Sequence, residues 1–233
     1  MKKLLILTLL SIIMTSCNMG KDVPVFSGRL TGALSGTLFT SDEGLDVNIK
    51  SAPEGFPESS ERIMISGSYY RRKSGGFDAD VKDFIEPLCK DAISRALSGG
   101  KDFGSDAANI ERGWISGGYA NLYVQVIFRE GSETKHLLNL VYEDTLEEPA
   151  DTLRFTLHHD AFGEALALDD EGKPQEGCIA GIAAASFNIL KFMPESVDEI
   201  PVKITGSWYR NDGNGNLTLE TYPSSRTGIL RRH

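Results

Sequence analysis

The chain has 233 residues and a formal net charge of −9 at pH 7; 40% of its residues are hydrophobic and 24% are charged. A chain of this size and composition can bury a good core, as one large domain or as two small ones. Its acidic balance argues against a nucleic-acid partner, because phosphate binding needs clustered lysine and arginine.

The first residues have the order of a lipoprotein export signal. Two lysines precede the apolar run Leu4–Met14, which is too short for a membrane span of roughly 18–20 residues. Small residues and then Cys17 follow, as in a bacterial lipobox, where the signal is cut before the cysteine and the thiol carries diacylglycerol. We therefore predict a signal peptide over 1–16, lipidation of Cys17 and a polar tether over 17–27. An ordinary signal peptide with a chance cysteine is the alternative.

Residues 28–98 are predicted to form a small N-terminal β domain. The stretch Arg62–Tyr70 is typical of a strand, and the glycine inside it is a common mark of a bulge or bend. Alternation of apolar and polar residues continues from Phe77 to Ile85. We expect an OB-like meander barrel. Its aromatic residues are either core or a stacking surface for a small ligand, and the candidate contacts are Tyr69, Tyr70 and Phe77.

A short helix and then a linker are predicted after the barrel. Leu88, Ala92 and Ala96 fit one helical stripe, with a proline allowed in the first turn and two glycines as a stop. Residues 86–98 are therefore expected to be helical. Residues 99–113 are loop-like and are predicted to separate two domains.

Residues 114–223 carry many short alternating strands at even spacing, with no rhythm of strand and helix. Tyr119–Arg129 and His136–Tyr142 are examples, separated by a glycine-containing turn. This pattern predicts an antiparallel β-sandwich. The expected fold class is therefore mainly β, with a small OB-like barrel, then a sandwich, and at most one short helix between them.

The adjacent histidines His158 and His159 are the strongest candidates for chemistry. Successive side chains of a strand point to opposite faces, so these two cannot bind one metal ion unless the backbone bends. Zinc also needs at least three protein ligands. We predict no metal site, a His159 at the edge of the core with its nitrogens bonded to backbone, and a solvated His158. A metal-assisted hydrolase or ligand site that uses His136, His159 and Asp160 is the alternative.

Other motifs carry less chemistry. Asp212, Asn214 and Asn216 occupy the first positions of a calcium loop, but Leu217 stands where that loop needs glycine, so a tight hairpin turn is expected. The chain has no nucleophile elbow and no phosphate-binding glycine loop. We predict neither catalytic residues nor a cofactor.

Two cysteines remain once Cys17 is assigned to the lipid. A disulfide is permitted outside the cytoplasm, although two cysteines are too few for a disulfide framework. Cys89 and Cys178 are therefore either a bridge or two buried thiols.

The C-terminal half resembles the NigD-like lipoproteins of Bacteroidetes. The resemblance rests on the stretches YANLYVQVIF, KHLLNLVYED, DTLRFTLHHDAFGEA, AASFNI and VKITGSWY. His136 matches a Lys-His position of the family, His159 matches a histidine of the next strand, and Asp160 stands where asparagine is usual. Ser186–Asn188 matches a later strand. The resemblance implies a lipid anchor, an OB-like N-terminal domain and a C-terminal β-sandwich, together with an inferred bacteriocin-immunity role, but no reaction.

These observations predict a lipid-anchored protein of the cell envelope that is not an enzyme. We expect it at the outer membrane, facing the periplasm or the cell surface, held by the lipid on Cys17. Its role is expected to be binding or structural, with a protein or glycan partner and a bacteriocin-immunity role as a special case. The alternatives are the hydrolase described above and a small-ligand carrier in the N-terminal barrel. The oligomeric state is left open.

Overall fold

The computed structural model describes residues 24–144, 151–164, 168–169, 171–211, 217–223 and 228–232. The predicted signal peptide, Cys17 and residues 212–216 of the turn predicted over 210–216 lie outside these residues. In the described part of the chain, no helix is both long and apolar enough to cross a membrane.

The first five strands form a closed barrel. They are β1 (Phe26–Ser35), β2 (Leu38–Ser41), β3 (Asp46–Ser51), β4 (Ser59–Arg71) and β5 (Phe77–Ile85). The order around the barrel is β1-β2-β3-β5-β4, and every pair is antiparallel except β3 with β5. Gly67 sits where the register of β4 against β5 shifts, because a Cβ there would lie 2.3 Å from the Asp80 carbonyl oxygen. The bend predicted in β4 is confirmed.

Ten strands build the second sheet. They are β6 (Leu88–Asp91), β7 (Ile93–Ser94), β8 (Ala108–Ser116), β9 (Tyr119–Arg129), β10 (Leu137–Tyr142), β11 (Leu153–Asp160), β12 (Cys178–Asn188), β13 (Glu199–Asn211), β14 (Leu217–Pro223) and β15 (Gly228–Arg231). The strand order is β6-β12-β9-β8-β13-β11-β10-β7, and β14 and β15 also pair with β13. The prediction of a mainly β fold, a barrel followed by a sandwich, is confirmed.

One extended segment bridges the two ends of this sheet. Strands β6 and β7 are separated by Ala92 alone, yet they lie at opposite ends of the strand order. Strand β6 pairs in parallel with β12, and β7 pairs in parallel with β10. Lys90 of β6 reaches across and donates to the Leu138 carbonyl oxygen at 2.7 Å and to Asn139 Oδ1 at 2.9 Å. The sheet is thereby nearly closed on itself.

The helix predicted over 86–98 is wrong. The segment instead forms β6, β7 and a short 3-10 turn, Ala96–Ser98. The Ala92 N–H donates to the Asn188 carbonyl oxygen at 3.0 Å, and the Arg95 N–H donates to the Tyr142 carbonyl oxygen at 3.0 Å. These distant strands satisfy the backbone as extended structure and override the weak local helical pattern. Strand β8 begins within the predicted linker, and the barrel strands end before the predicted domain boundary.

Barrel and sandwich meet around a buried ion pair. The side chains of Arg62 in β4 and Asp42 after β2 are 4% and 5% exposed and pair through both guanidinium Nη atoms. Arg62 Nη2 also donates to Asn121 Oδ1 at 2.7 Å, and its guanidinium carbon lies 4.2 Å from the centroid of the Tyr119 ring. The Ser116 hydroxyl donates to Asp42 Oδ2 at 2.5 Å. A shared network of hydrogen bonds thus fixes how β1 and β4 face β8 and β9.

Candidate functional site

The alternation of β11 places its two histidines on opposite faces. Leu153, Phe155, Leu157 and His159 are buried in turn. His159 donates from Nδ1 to the Ala107 carbonyl oxygen at 2.8 Å, and its Nε2 lies 3.0 Å from His136 Nδ1. The predicted backbone partners are therefore right for Nδ1 and wrong for Nε2, which meets a side chain from the neighbouring strand. The bond to a carbonyl, which accepts and cannot donate, sets the His159 proton on Nδ1. Burial lowers the pKa of His159, so its ring is neutral at pH 7.

His136 connects this buried ring to a carboxylate. Its Nε2 lies 3.5 Å from Glu164 Oε2, and Glu164 Oε1 accepts a hydrogen bond from the Ser132 hydroxyl at 2.5 Å. The bond from Ser132 is the largest cause that lowers the pKa of Glu164 to about 2. The order Ser132, Glu164, His136, His159 does not fit a catalytic triad, because the serine bonds to the carboxylate and not to a histidine base.

The alternative hydrolase site is not assembled here. His136 and His159 are brought together, but the Asp160 carboxylate accepts the Phe162 N–H at 2.8 Å and caps the following turn. Within the described residues, no three His, Cys, Asp or Glu side chains are placed to hold a metal ion. The cluster can hold the end of the sandwich together. Within the described residues neither histidine bonds to the Ser132 hydroxyl, and the carboxylate that does, Glu164, has a pKa of about 2 and is a weak base.

His158, on the opposite face of β11, also bonds to other parts of the chain. His158 donates from Nδ1 to the Gly104 carbonyl oxygen at 2.8 Å, and Arg95 Nη2 lies 2.8 Å from its Nε2. Arg95 in turn holds Glu143 through two hydrogen bonds of 3.1 and 3.2 Å. The prediction of a solvated His158 is therefore wrong. The two histidines hold the chain at Gly104 and at Ala107 against β11 from its two faces.

The barrel aromatics fill the core. Tyr69 is fully buried, its ring centroid lies 4.4 Å from that of Phe26, and burial raises its pKa to about 12. Phe77 meets Phe26 edge-on at 5.5 Å. Tyr70 lies half-buried on the other side of β4. Side chains thus fill the interior of a small barrel, and Tyr69 offers no surface to a ligand.

The disulfide considered from the sequence does not form. Cys89 and Cys178 are both free, and the alternative of two buried thiols is wrong as well, because Cys89 is exposed and Cys178 is half-buried. Cys89 pairs with Ser186 of β12, whereas Cys178 begins the same strand eight residues earlier. At about 3.3 Å per residue the two lie roughly 26 Å apart along the strand, and a disulfide needs Cα atoms within about 7 Å.

An open groove lies where the barrel meets the sandwich. Its cavity has a volume of about 310 Å³. Strand β1 contributes Arg29, Leu30 and Thr31 to the lining. The remaining lining residues come from the loop after β2 and from strands β8 and β9, and they are Glu43, Arg112, Trp114 and Tyr123. We call this set of residues the junction groove.

Strand pairing explains why the sandwich side of the groove is aromatic and basic. Arg112 lies directly opposite Tyr123 in the β8–β9 pair, and Trp114 follows Arg112 by two residues on the same face. The ring centroids of Trp114 and Tyr123 are 5.8 Å apart. Arg29 Nη1 donates to the Tyr123 hydroxyl at 2.6 Å, and Arg29 Nε donates to Ser66 Oγ at 3.0 Å.

Sequence reasoning missed this groove. The spacing of Arg112 and Trp114 on one face of a strand was the available signal. It does not reveal that Arg29, more than eighty residues earlier, stands opposite.

Comparison with known proteins identifies related sequences and folds. The profile of the NigD-like C-terminal beta sandwich domain matches residues 94–214, a little over half of the chain. No curated protein matches the sequence.

Three solved structures share the fold. A NigD-like immunity protein from Bacteroides caccae has 16% identity and a TM-score of 0.58, with 84% of this chain and 91% of that chain covered. A protein from Bacteroides fragilis named "Putative lipoprotein" has 11% identity and a TM-score of 0.55, covering 84% and 96%. A toxin-related protein from Parabacteroides distasonis has 16% identity and a TM-score of 0.55, covering 85% and 92%. At these identities the likeness concerns the fold.

Proposed function

Because the chain belongs to the NigD-like family, we propose that it is a lipid-anchored binding protein of the cell envelope, without enzymatic activity, whose ligand site is the junction groove. The lipid on Cys17 would hold it at the outer membrane. The lipobox-like order of residues before Cys17 supports the anchor, and so does the lipoprotein name of the solved relative from Bacteroides fragilis.

One observation carries the proposal of binding without catalysis. The histidine cluster, where catalysis was most plausible from the sequence, is a chain of hydrogen bonds that runs from Ala107 to Ser132 through His159, His136 and Glu164. Its groups bond to one another, and the base that faces Ser132 is the Glu164 carboxylate, whose pKa is lowered to about 2 and which is therefore a weak base. The junction groove, by contrast, is open and combines aromatic and charged side chains. Ligand sites are commonly found where two structural units meet.

The anchor is tested by fractionation of cells that express the full chain. Wild-type protein should sediment with membranes, and Cys17→Ala should appear in the soluble or unprocessed fraction. Recovery of processed Cys17→Ala in the membrane fraction at wild-type level would contradict lipid anchoring.

Binding in the groove is tested by thermal shift of the full chain in mild detergent, against a panel of neutral and charged envelope glycans and peptides. A ligand that binds the folded state raises the melting temperature by mass action. The rise should disappear in Trp114→Leu, and mass spectrometry should recover the ligand unchanged. A ligand that is chemically altered would make the protein an enzyme, and a panel without any shift would argue against the groove as a ligand site.

An immunity role is a special case of this function. It is favoured by the name of the relative from Bacteroides caccae. In that case the partner would be a toxin, and cells that lack the protein should become sensitive to it. Unchanged sensitivity on deletion would exclude this special case.

A further inference from the structure

Two guanidinium groups line the junction groove without a carboxylate partner. Arg112 is exposed and forms no ion pair or side-chain hydrogen bond with any residue that the structure describes. Arg29 bonds to two hydroxyl groups, those of Ser66 and Tyr123. Elsewhere in the molecule, Arg62 and Arg95 hold carboxylates. The groove thus presents positive charge that an anionic ligand would neutralise.

Arg29 is also held in place before any ligand arrives. Its Nε and Nη1 atoms are used by Ser66 and Tyr123, and its guanidinium carbon lies 5.2 Å from the centroid of the Tyr123 ring. A guanidinium has five N–H donors in a planar fork, so donors remain for a planar anion. A carboxylate fits such a fork through two parallel hydrogen bonds.

The aromatic side of the groove selects a ligand with a flat apolar face. Tyr123 is buried and already covered by Arg29, whereas Trp114 is half-buried and lines the cavity. The indole of Trp114 therefore offers the available ring surface. A sugar ring has an apolar face of C–H groups and an edge of hydroxyl groups, so it can stack on an indole while its edge forms hydrogen bonds.

The charge and the volume of the junction groove narrow the class of ligand further. The exposed Glu43 is the carboxylate among the lining residues, and it can accept hydrogen bonds from hydroxyl groups while it repels a ligand with many negative charges. The net charge of −9 disfavours polyanions as well. A volume of about 310 Å³ lies at the small end for ligand pockets, which suits one or two rings.

The groove is anchored to rigid structure. The Thr31 hydroxyl at its back donates to Asp42 Oδ2 at 2.5 Å and lies 3.1 Å from the Ser116 hydroxyl. Asp42 is itself held by the buried Arg62. A site built on such a network needs little ordering when a ligand binds, which favours affinity.

From these observations we infer that the junction groove binds an acidic carbohydrate, a sugar unit that carries one carboxylate. Arg29 and Arg112 bind the carboxylate, Trp114 stacks on the ring, and Glu43 accepts from ring hydroxyls. This inference rests on the proposed function and gives it a ligand class.

The test measures binding to the full chain in mild detergent. The probes are a disaccharide that ends in glucuronate and a neutral disaccharide in which glucose replaces the glucuronate. The signal is the fluorescence of Trp114, recorded in a Trp208→Phe background because the chain has two tryptophans. We expect the acidic probe to bind about tenfold or more tightly than the neutral one, since charge-assisted hydrogen bonds are lost with the carboxylate.

Arg112→Gln should weaken binding of the acidic probe about tenfold or more and weaken binding of the neutral probe much less, because only the acidic probe loses a charge-assisted hydrogen bond. The matched control is Arg129→Gln, which removes the same charge from an exposed position at the far end of β9 and should change the dissociation constant less than about twofold, because salt screens distant exposed charges. Circular dichroism and melting temperature check that both variants fold.

Three outcomes would overturn the inference. Equal binding of both probes would remove the anion preference and leave the groove as a ligand site. Equal effects of Arg112→Gln and Arg129→Gln would make the preference a general effect of charge. If neither probe changes the Trp114 signal while another compound of the thermal-shift panel binds wild type and not Trp114→Leu, the ligand class is wrong and the proposed function stands. Absence of any such compound would count against the proposed function itself.

Discussion

Replacing Asp42 by alanine is expected to destabilise the protein strongly, because the change leaves a buried guanidinium without its counter-charge. The side chains of Asp42 and Arg62 are 5% and 4% exposed. Removing one partner of such a buried pair costs about 3–5 kcal/mol. Thr31 and Ser116 also lose the acceptor of their hydroxyl hydrogen bonds, and this places the expected loss in the upper half of that range.

The loss is measured by urea unfolding, followed in parallel by far-ultraviolet circular dichroism and by tryptophan fluorescence. Both tryptophans, Trp114 and Trp208, lie in the second sheet, so fluorescence reports the sandwich and circular dichroism reports both units. A loss of about 4–5 kcal/mol lowers the melting temperature by roughly 8–20 °C, at about 2–4 °C per kcal/mol for a chain of this length.

The double variant Asp42→Ala/Arg62→Ala separates the ion pair from its surroundings. It should be less destabilised than the sum of the two single variants, with a coupling energy of about 2–3 kcal/mol. Glu171→Ala is the control, because Glu171 pairs with Lys173 at 2.7 Å with both side chains more than 70% exposed, and its loss should stay within about 1 kcal/mol. A cost below about 1 kcal/mol for Asp42→Ala, or full additivity, would refute the reasoning.

Three other regions give further predictions. Burial lowers the pKa of His159 below its ordinary 6.5, so below about pH 6.5 the unfolded chain binds a proton that the folded ring does not, and the free energy of unfolding falls as the pH drops. His159→Gln should therefore reduce the pH dependence of the urea midpoint between about pH 7 and 5. The same pH dependence in wild type and variant would contradict this prediction. Gly104→Ala should lower the free energy of unfolding by more than about 1 kcal/mol, because the φ of Gly104 is +84° and a Cβ there would lie 2.3 Å from the His159 carbonyl oxygen. Gly28→Ala is the control and should leave the free energy of unfolding nearly unchanged in the same assay, because no atom lies within 4 Å of the added carbon. Among the described residues, positions 178–184 of β12 pair with β9 alone and carry no charge, so their other edge is unpaired and can pair with a second copy of the chain. Ile182, which is 57% exposed, lies in this edge, and Ile182→Lys should reduce self-association measured by light scattering without changing the melting temperature. Equal scattering by wild type and variant would argue against self-association through this edge.

Periodicity predicted the local structure well where one face of a strand is buried. The alternation of β11 specified that His158 and His159 point apart, because the side chains of a strand alternate whatever the strand packs against. Gly67 marked the bend in β4 because a side chain there would collide with β5. The barrel and the sandwich were predictable for the same reason, since both follow from short alternating strands and turns.

The predictions failed where the deciding contacts are distant in sequence. Three apolar residues at helical spacing suggested a helix over 86–98, but backbone groups of Asn188 and Tyr142 turn this segment into strands. His158 was expected in solvent because nothing in its strand reveals that Arg95 and the loop at Gly104 cover it. In each case the local preference is weak, and tertiary hydrogen bonds outweigh it.

The sequence by itself determined the class of the fold, the family, the faces of the strands and the signal that predicts a lipid anchor, because each of these is written in local order and periodicity. The tertiary structure alone decided which side chains meet. In the folded chain the paired histidines bond to the carbonyl groups of Gly104 and Ala107 and hold that segment against β11. The fold also places Arg29 of β1 beside Arg112 and Trp114 of β8. Those residues form a groove because strand register and the buried Asp42–Arg62 pair set two sheets against each other, and such geometry depends on contacts between segments that are far apart along the chain.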